Sequence, residues 1–275
     1  MDIHGARALV PGAARGIGRA IARLLVSKGV RLVLPWYDWP ESVASLQEEF
    51  GGTGQHVLVQ ADLRQKNDVA RLCREIVKEL GGLEILINNI ERGGMPIVHG
   101  DYSRKVNEAQ WQRELDTTLQ AKWLLWRHTL PLLRKAAQAA VVNISSIAGL
   151  VGRSGPVGVL FSDGYALANR AVTGLTEQWA REGAPTIRVN ELMLGLVDSR
   201  HGPETRGWQA LSLQQRNALY DHTLLGRTAN PDEVAKTVLF LVRDADYCTG
   251  SVLRMDGGYL LGGEKNTEMP PGVLE

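Results

Sequence analysis

The sequence predicts a doubly wound α/β domain, in which helices cover both faces of a parallel sheet of about seven strands. Short runs that are apolar at nearly every position recur along the chain, as expected of strands buried on both sides. Amphipathic stretches with helical periodicity separate these runs, so strand and helix alternate and right-handed crossovers follow. The 275 residues, 44% of them hydrophobic, suffice for one large domain, and no Pro/Ser/Gly-rich linker interrupts the alternation.

The predicted elements follow one another in regular order. Strands are predicted at 8–10, 30–34, 56–59, 83–87, 140–144, 187–193 and 252–255, and helices at 16–27, 40–50, 66–80, 108–137, 165–181 and 231–242. Three long connections, 91–107, 150–164 and 199–225, leave the carboxyl ends of strands, which is the edge where open α/β sheets bind ligands. We expect one domain over 1–262, with 199–225 as a substrate lid and 263–275 as a tail.

The charge balance argues against several classes of partner. Thirty-one basic and thirty acidic residues leave a formal net charge of +1, and no long run of one sign occurs, so we expect neither nucleic-acid nor membrane binding. No stretch approaches the ~20 apolar residues that cross a bilayer. The two cysteines, Cys73 and Cys248, are far apart, which favours a reduced, cytoplasmic protein. The six histidines show no metal-ligand spacing, so no metal is predicted.

A glycine-rich loop follows the first predicted strand and opens the first helix. Gly12, Gly16 and Gly18 allow a tight turn and a close approach of the backbone to a pyrophosphate. The amides around Ile17 lie at the positive end of the helix, where phosphates bind. A glycine-rich turn without a ligand is the alternative, and it is less favoured because the strand and the helix are both in place. The sequence therefore predicts a dinucleotide site of Rossmann type, with Arg15 also in the loop.

Motifs in the same order along residues 5–262 resemble those of the short-chain dehydrogenase/reductase family, classical type. Besides the glycine loop, they are Ala61-Asp62-Leu63, Asn88-Asn89, Asn143-Ile144-Ser145-Ser146, Tyr165, Arg188-Val189-Asn190 with Gly195, and Thr249-Gly250 through Gly258. The resemblance implies an oxidoreductase that passes hydride between a nicotinamide and an alcohol or carbonyl carbon of a small molecule. It also implies that Asp62, Leu63 and Asn89 contact the cofactor.

The resemblance further implies a catalytic set, of which two members differ here. In the family a tyrosine transfers the proton and a serine holds the substrate oxygen, and these are Tyr165 and Ser146. The family's lysine, which binds the nicotinamide ribose and lowers the tyrosine pKa, is replaced by Asn169. The family's asparagine in the fourth helix, part of a water-linked proton path, is replaced by Thr118.

The loss of the lysine has a large expected cost. A free tyrosine has a pKa near ~10, and a cation about 4 Å away contributes roughly 4 kcal/mol at an effective dielectric near 20, or about three pKa units. Asn169 brings no charge. Lys122, one turn beyond Thr118, either reaches the pocket or, as is more usual for a lysine on a long helix, lies on a solvated face.

Other departures cluster at the cofactor-facing edge. Ser146 and Tyr165 are nineteen positions apart, wider than is usual in the family, so the loop between them carries extra residues. Pro11 replaces a common threonine, and Leu194 replaces the proline before the lid. Glu91 puts a carboxylate where the family's backbone lies close to the cofactor. This clustering indicates that the reaction has changed or that it has been lost.

The end of the second strand bears on cofactor choice. NAD-dependent members carry an acidic residue there, whereas this chain has Trp36, and no acid is available unless the loop brings Asp38 into place. Arg15 resembles the basic residue of NADP-preferring members, so NADP(H) is slightly favoured over NAD(H). The alternative is that the protein binds neither nucleotide. Trp36 either contacts the adenine or, with Trp39, packs against a helix start.

The helix at 108–137 bears on assembly. It carries Trp111, Trp123 and Trp126 at helical spacing, and the same helix is a dimer surface in the resembled family. Tryptophan is enriched at the centres of interfaces, so we expect a homodimer or homotetramer. The alternative is that these side chains belong to the protein's own core.

Three functional hypotheses remain. The favoured one is a nicotinamide-dependent oxidoreductase with an atypical active site. The alternatives are a catalytically inactive member of the fold that binds a ligand or regulates, and a non-redox lyase or isomerase that uses Tyr165 as an acid. The substrate is not predicted beyond a polar or anionic compound, suggested by the mixed composition of the lid, which contains Arg200, His201, Glu204, Arg206 and Trp208.

Overall fold

The computed structural model of the chain describes residues 1–38, 40–52, 54–93, 95–199 and 206–263. The interpretations of Trp39, of Arg200, His201 and Glu204 in the lid, and of the tail beyond 263 concern residues outside these ranges. Within them, no helix is both long and apolar enough to cross a membrane, and no group of three potential metal-ligating side chains occurs.

Seven parallel strands form one continuous sheet, as predicted. They are β1 (Arg7–Leu9), β2 (Arg31–Trp36), β3 (Val57–Gln60), β4 (Ile85–Asn88), β5 (Ala139–Ser146), β6 (Ile187–Leu194) and β7 (Val252–Met255). Their spatial order is β3-β2-β1-β4-β5-β6-β7, and every neighbouring pair is parallel. The order reverses between β1 and β4, which makes the carboxyl ends of these two strands the place where such a sheet binds ligands.

Eleven α-helices connect or follow the strands in the described part of the chain. They are α1 (Gly16–Ser27), α2 (Pro40–Phe50), α3 (Lys66–Leu80), α4 (Pro96–His99), α5 (Gln110–Leu115), α6 (Ala121–Leu133), α7 (Ala148–Val151), α8 (Asp163–Gly183), α9 (Arg206–Ala210), α10 (Leu213–His222) and α11 (Pro231–Arg243). The alternation of strand and helix that the periodicity predicts is confirmed. The connections predicted as long loops contain the short helices α4 and α9, together with α10, and α7 extends into the second of them.

The helix predicted at 108–137 is wrong as one continuous α-helix. A π-helical turn, Asp116–Gln120, separates α5 from α6, and α6 ends at Leu133. A π turn widens the backbone spiral by about one residue, and such turns are frequent at functional sites. Apolar periodicity continues across the turn, which is why the sequence pattern gives no sign of it.

Two hydrophobic cores enclose the sheet. Side chains alternate along each strand, so that Leu32 and Leu34 of β2 face one side while Val33 faces the other. The first core packs α1, α2 and α11 against the sheet. The second packs α3, α6 and α8 against the opposite face. Because both faces are covered, the strands have the nearly continuous apolar character seen in the sequence.

Trp126 belongs to the second core, so the suggestion that it adds bulk to a subunit interface is wrong. Its ring is fully buried and stacks on Trp179 of α8, with centroids 5.1 Å apart and planes 11° from parallel. Its Nε1 donates to Glu182 Oε2 at 2.8 Å. Trp126 lies on the side of α6 that faces α8, whereas Trp111 and Trp123 are 39% and 45% exposed.

Candidate active site

The glycine loop forms a tight cradle between β1 and β4. Gly12 and Gly16 have positive φ angles of 71° and 54°. A Cβ on Gly12 would collide with the carbonyl oxygen of Asn89, and a Cβ on Gly18 with the carbonyl oxygen of Gly12. A Cβ on Gly16 would collide with the hydroxyl of Ser199, at the start of the predicted lid. Glycine is therefore required at all three positions, and the structure brings Asn89 into contact with the loop.

The amino end of α1 opens onto this cradle. Arg15 precedes the helix with an extended backbone (φ −160°, ψ 173°), and its own side chain makes no capping hydrogen bond. The amides of Gly16, Ile17 and Gly18 lie in the first turn, where no intrahelical acceptor is available. An anion placed there receives these N–H groups and the positive end of the helix dipole. The cradle thus fits the pyrophosphate of a dinucleotide.

A basic cleft of about 370 Å³ lies beside the amino end of α1. It is lined by Ala14, Arg15, Arg19, Arg23, Glu41, Ser42 and Ser45. Arg19 is buried and donates to the carbonyls of Ala13 (3.0 Å) and Ala14 (2.8 Å). Arg23 and Arg19 bind Glu49 and hold the pKa of that carboxyl below its usual value. Sequence reasoning did not single out Arg19, whose position on the inner face of α1 becomes evident only in the fold.

The predicted adenine contacts lie at the carboxyl ends of β2 and β3. Trp36, the last residue of β2, is partly buried and packs against the first core. Leu63 is buried in the second core. The carboxylate of Asp62 receives two hydrogen bonds of 2.8 Å from Arg64, which hold its pKa below the usual value. Arg64 also lies over the ring of Tyr37, 5.5 Å from its centroid. Asp62 is therefore paired with a cation that the motif did not predict.

The two catalytic residues implied by the resemblance stand at adjoining elements. Ser146 is the last residue of β5, and its Oγ accepts a hydrogen bond from Ala148 N at 3.1 Å. Tyr165 lies in the first turn of α8 and is 3% exposed. Its hydroxyl donates to Glu91 Oε2 at 2.7 Å. The sequence showed that Glu91 departs from the family pattern, but only the structure joins it to Tyr165.

Thr118 and Lys122 both hold the segment that carries Glu91. Thr118 lies in the π turn, where its Oγ1 accepts from Arg92 N at 3.0 Å and donates to Arg92 O at 3.3 Å. Lys122 is fully buried, and its Nζ donates to Thr118 O at 3.1 Å and to Ile90 O. The expectation of a solvated lysine is therefore wrong, because α6 points its ammonium group at two backbone carbonyls. The resulting contacts position residues 90–92 opposite α8.

Asn169, at the family's lysine position, is buried and polar but uncharged. Its Nδ2 donates to the carbonyl of Tyr165 at 3.0 Å, one turn earlier on α8. Among the residues that the structure describes, its Oδ1 finds no hydrogen-bond donor. A buried acceptor without a donor is costly, so Asn169 is suited to receive a hydroxyl from a bound molecule.

β6 carries a second buried carboxylate. Glu191 is fully buried and accepts a hydrogen bond from the Ser145 hydroxyl. Burial raises its pKa, against the opposing effects of Ser145 and Thr173 hydroxyls and of the charge on Lys122. The register places Glu191 beside Asn143 in the sheet. Sequence reasoning missed it, although an acidic residue inside an apolar strand was a usable signal.

The start of α8 is anchored by a third buried carboxylate, from α5. Glu114 accepts hydrogen bonds of 2.6 Å from both the Ser162 and the Tyr102 hydroxyls. The Tyr102 oxygen also accepts from Gly164 N at 2.8 Å. Burial and the neighbouring Glu114 raise the pKa of Tyr102 to about 12, so it stays a neutral donor. These bonds hold the residue preceding Tyr165 in place.

The described wall around Tyr165 is apolar. It is formed by residues of β6, of the segment from the end of β5 through the 150–164 loop, of the lid and of the carboxyl-terminal segment, namely Ile147, Ala148, Val157, Leu160, Phe161, Met193, Leu196, Trp208, Leu211, Leu219 and Tyr259. Trp208 is 3% exposed and packs against Tyr220, with ring centroids 5.2 Å apart. The loop is tied to the carboxyl-terminal segment by Val157 N, which donates to Tyr259 Oη at 3.1 Å. This wall does not supply the polar or anionic selectivity suggested by the composition of the lid.

Comparison with known proteins agrees with this geometry. The family model described as enoyl-(acyl carrier protein) reductase matches residues 12–260. The chain is 30% identical over 261 residues to the 3-oxoacyl-(acyl-carrier-protein) reductase of Vibrio cholerae, covering 94% of this chain and 98% of that protein. It is 32% identical over 257 residues to the cis-4-hydroxycyclohexanecarboxylate dehydrogenase of Sinomonas cyclohexanicum, covering 92% and 95%.

Solved structures show the same fold. The aldohexose dehydrogenase of Thermoplasma acidophilum superposes with a TM-score of 0.77 at 23% identity, over 98% of this chain and 99% of that one. The NADPH-dependent 3-quinuclidinone reductase of Rhodotorula rubra gives 0.78 at 22% identity, over 94% and 93%. With the family model covering most of the chain and a relative above 30% identity spanning nearly all of it, the chain belongs to the short-chain dehydrogenase/reductase family, a family of oxidoreductases.

Proposed function

We propose that this chain is an NADP(H)-dependent oxidoreductase that interconverts an alcohol and the corresponding carbonyl compound of a small molecule. One observation carries the proposal: a backbone cradle that only glycine fits and the hydroxyl of Tyr165 are built on the same edge of the sheet. Relatives named as a reductase of a 3-oxoacyl group and as a dehydrogenase of a cyclic alcohol support this class of reaction.

The cofactor contacts follow from the cradle and the basic cleft. A bound nicotinamide supplies the hydride acceptor or donor. The first turn of α1 holds the pyrophosphate, and Asp62 and Leu63 border the adenine. Arg15, which lines the basic cleft, binds a 2′-phosphate. β2 ends at Trp36 without a carboxylate to bind free ribose hydroxyls, and both features favour NADP(H) over NAD(H).

Around the substrate, each polar group takes a distinct task. Ser146 donates to the substrate oxygen, and Tyr165 transfers a proton to or from it. Asn169 accepts a hydroxyl of the nicotinamide ribose through its buried Oδ1. Thr118 does not reproduce the family's asparagine, because its hydroxyl is engaged with Arg92. It anchors the segment that carries Glu91.

The first experiment is a titration of the purified protein with NADPH and NADH, followed by tryptophan fluorescence. We expect saturable binding, tighter for NADPH, and turnover in a screen of small alcohols and ketones. Tyr165→Phe is expected to retain cofactor binding and to lose about 10²–10⁴-fold in turnover, the usual contribution of general acid–base catalysis.

Three outcomes contradict the proposal. If neither nucleotide binds at up to millimolar concentration, the protein does not use a nicotinamide cofactor. Binding without turnover across the screen supports an inactive ligand-binding protein. Product formation with no change in the oxidation state of the cofactor supports a non-redox lyase or isomerase.

For the assembly, we propose a cytoplasmic homodimer or homotetramer that uses the exposed faces of α5 and α6. Trp111 and Trp123 remain substantially exposed there, and Arg127 lies over the Trp123 ring at 5.8 Å from its centroid. Tryptophan and arginine are both enriched at the centres of interfaces. Sedimentation equilibrium at micromolar concentration measures the assembly, and a monomer contradicts it.

A further inference from the structure

Glu91 is the acidic group in contact with the reacting oxygen of Tyr165. The carboxylate accepts a hydrogen bond from the phenolic hydroxyl, with 2.7 Å between the two oxygens. Its loop is held on both sides, since Lys122 Nζ binds the carbonyl of residue 90 and Thr118 binds the backbone of Arg92. Side chains of two elements, α6 and the π turn before it, thus keep Glu91 against Tyr165, which is nearly fully buried.

This contact determines what the Tyr165 oxygen offers to a substrate. A phenolic hydroxyl has one proton to donate and two lone pairs that accept. The proton is directed at Glu91, so the oxygen presents lone pairs to the remaining space. A ketone needs a donor at this point, whereas an alcohol needs an acceptor. The arrangement is complementary to an alcohol.

The charges at the site point to the same direction of reaction. With Asn169 in place of a lysine, no cation stands one turn below Tyr165 on α8 to stabilise a phenolate. An adjacent carboxylate disfavours a phenolate further, because like charges repel. A carboxylate has an ordinary pKa near ~4.3, against ~10 for a phenol, and is therefore ionised at neutral pH.

We propose that Glu91 is the general base for oxidation of an alcohol, acting through Tyr165. This inference rests on the proposed function. The alcohol O–H bond breaks and its proton passes to the Tyr165 oxygen, while the phenolic O–H bond breaks and its proton passes to Glu91. The carbinol C–H bond breaks with its electron pair, a C=O bond forms, and the hydride reduces an oxidised nicotinamide. Glu91 ends as a neutral acid and returns its proton to water.

The first test compares pH profiles of kcat/KM for alcohol oxidation in wild type and in Glu91→Gln, with Glu177→Gln as control. Glu177 is an exposed glutamate on the same helix as Tyr165. We expect Glu91→Gln to lose about 100-fold or more at neutral pH, the scale of a general base, and to regain activity as pH approaches the titration of the phenol. Glu177→Gln should match wild type, and Glu91→Asp should restore part of the activity. Cofactor affinity should stay within twofold in each variant.

A second test needs no turnover. The ultraviolet absorbance of tyrosinate is titrated in wild type and in Glu91→Gln, with Tyr165→Phe in each background to isolate this residue. Tyr165 should ionise at lower pH in Glu91→Gln, because a neighbouring negative charge is gone.

The outcomes separate this inference from the function on which it rests. An active wild type with an unchanged pH profile in Glu91→Gln overturns the role of Glu91 and leaves the oxidoreductase intact. An equal Tyr165 titration with and without Glu91 also overturns it. A wild type that binds no nicotinamide nucleotide contradicts the proposed function itself.

Discussion

At the cofactor end of the site, between β1 and α1, the shape of the loop is dictated by contacts that any side chain would break. At the catalytic end, between β4, α6 and α8, the shape is held by hydrogen bonds that several different side chains can make. The glycine loop matches the family spacing, whereas the lysine and asparagine positions have changed and Glu91 has entered the site. A position where the backbone leaves no room for a side chain thus accepts fewer substitutions than a position that supplies a charge or a hydrogen bond. A neighbouring side chain can supply the charge or hydrogen bond instead.

The largest effect is expected at the cofactor end, from Gly18→Ala. The added methyl collides with the carbonyl of Gly12, and overpacking of this kind costs about 1–3 kcal/mol. We expect cofactor affinity to fall by about 10- to 100-fold. Fluorescence titration measures the affinity.

Gly174→Ala is the matched control, because a Cβ there meets no atom within 4 Å. It lies in the middle of α8, so it should stabilise the protein by about 0.5–1 kcal/mol and leave cofactor affinity unchanged. Equal affinities in Gly18→Ala and Gly174→Ala would contradict the steric account of the cradle.

At the catalytic end, Lys122→Met tests how far the buried ammonium group supports the loop. It removes the donor to the buried carbonyl of Thr118 and to the partly buried carbonyl of Ile90. Leaving buried acceptors unsatisfied costs about 1–3 kcal/mol. We expect the free energy of unfolding in urea to fall by that amount, and alcohol oxidation to fall with it as Glu91 loses its position.

The control for this change is Lys78→Met on α3, whose side chain is 70% exposed. Substitutions at such surface positions usually stay within about ±0.5 kcal/mol. If Lys122→Met were as stable as Lys78→Met, the buried ammonium group would not be supporting residues 90–92.

The smallest effect is expected from Arg15→Ser, which separates the contribution of charge from that of shape at the cofactor end. Arg15 lines the basic cleft but is not part of the steric cradle. Removing one charged hydrogen bond to a 2′-phosphate costs about 1.5 kcal/mol, or roughly tenfold in affinity. NADPH affinity should therefore fall about tenfold while NADH affinity stays within twofold. Arg181→Ser, an exposed arginine on α8, should change neither, and equal losses for both nucleotides would show that Arg15 does not read the phosphate.

The sequence was sufficient to predict the sheet, because strands buried on both faces have a distinctive apolar pattern. It also placed the glycine loop between the first strand and the first helix, and Tyr165 at the start of a helix, whereas Ser146 lies two residues beyond the predicted end of its strand. It did not predict the partners of those residues. Whether Lys122 faces water or a carbonyl depends on how far α6 is rotated about its axis. The π turn before α6 changes that rotation and leaves the apolar periodicity of the sequence intact.

The same limit applies at the adenine side and in the core. Arg64 follows Asp62 by two residues, yet their pairing depends on the turn between β3 and α3. Trp126 and Trp123 are three residues apart, and only the packing of α6 against α8 separates the buried ring from the exposed one. The sequence pattern identifies the helices and strands. To predict the contacts between them, one must also know the angles at which they pack.

The π turn between α5 and α6 means that chain length, as well as residue identity, specifies the site. Each residue of a helix turns the following residues by about 100° and moves them by 1.5 Å. The five residues 116–120 turn the chain about as far as four residues of a regular helix, because the π turn accommodates one extra residue. A helix that was regular over the same residues would carry Lys122 about one residue step farther around the axis, away from the carbonyl of Ile90, with no change in its own identity. One extra residue, silent in apolar periodicity and in hydropathy, thus sets the contacts on which Glu91 depends.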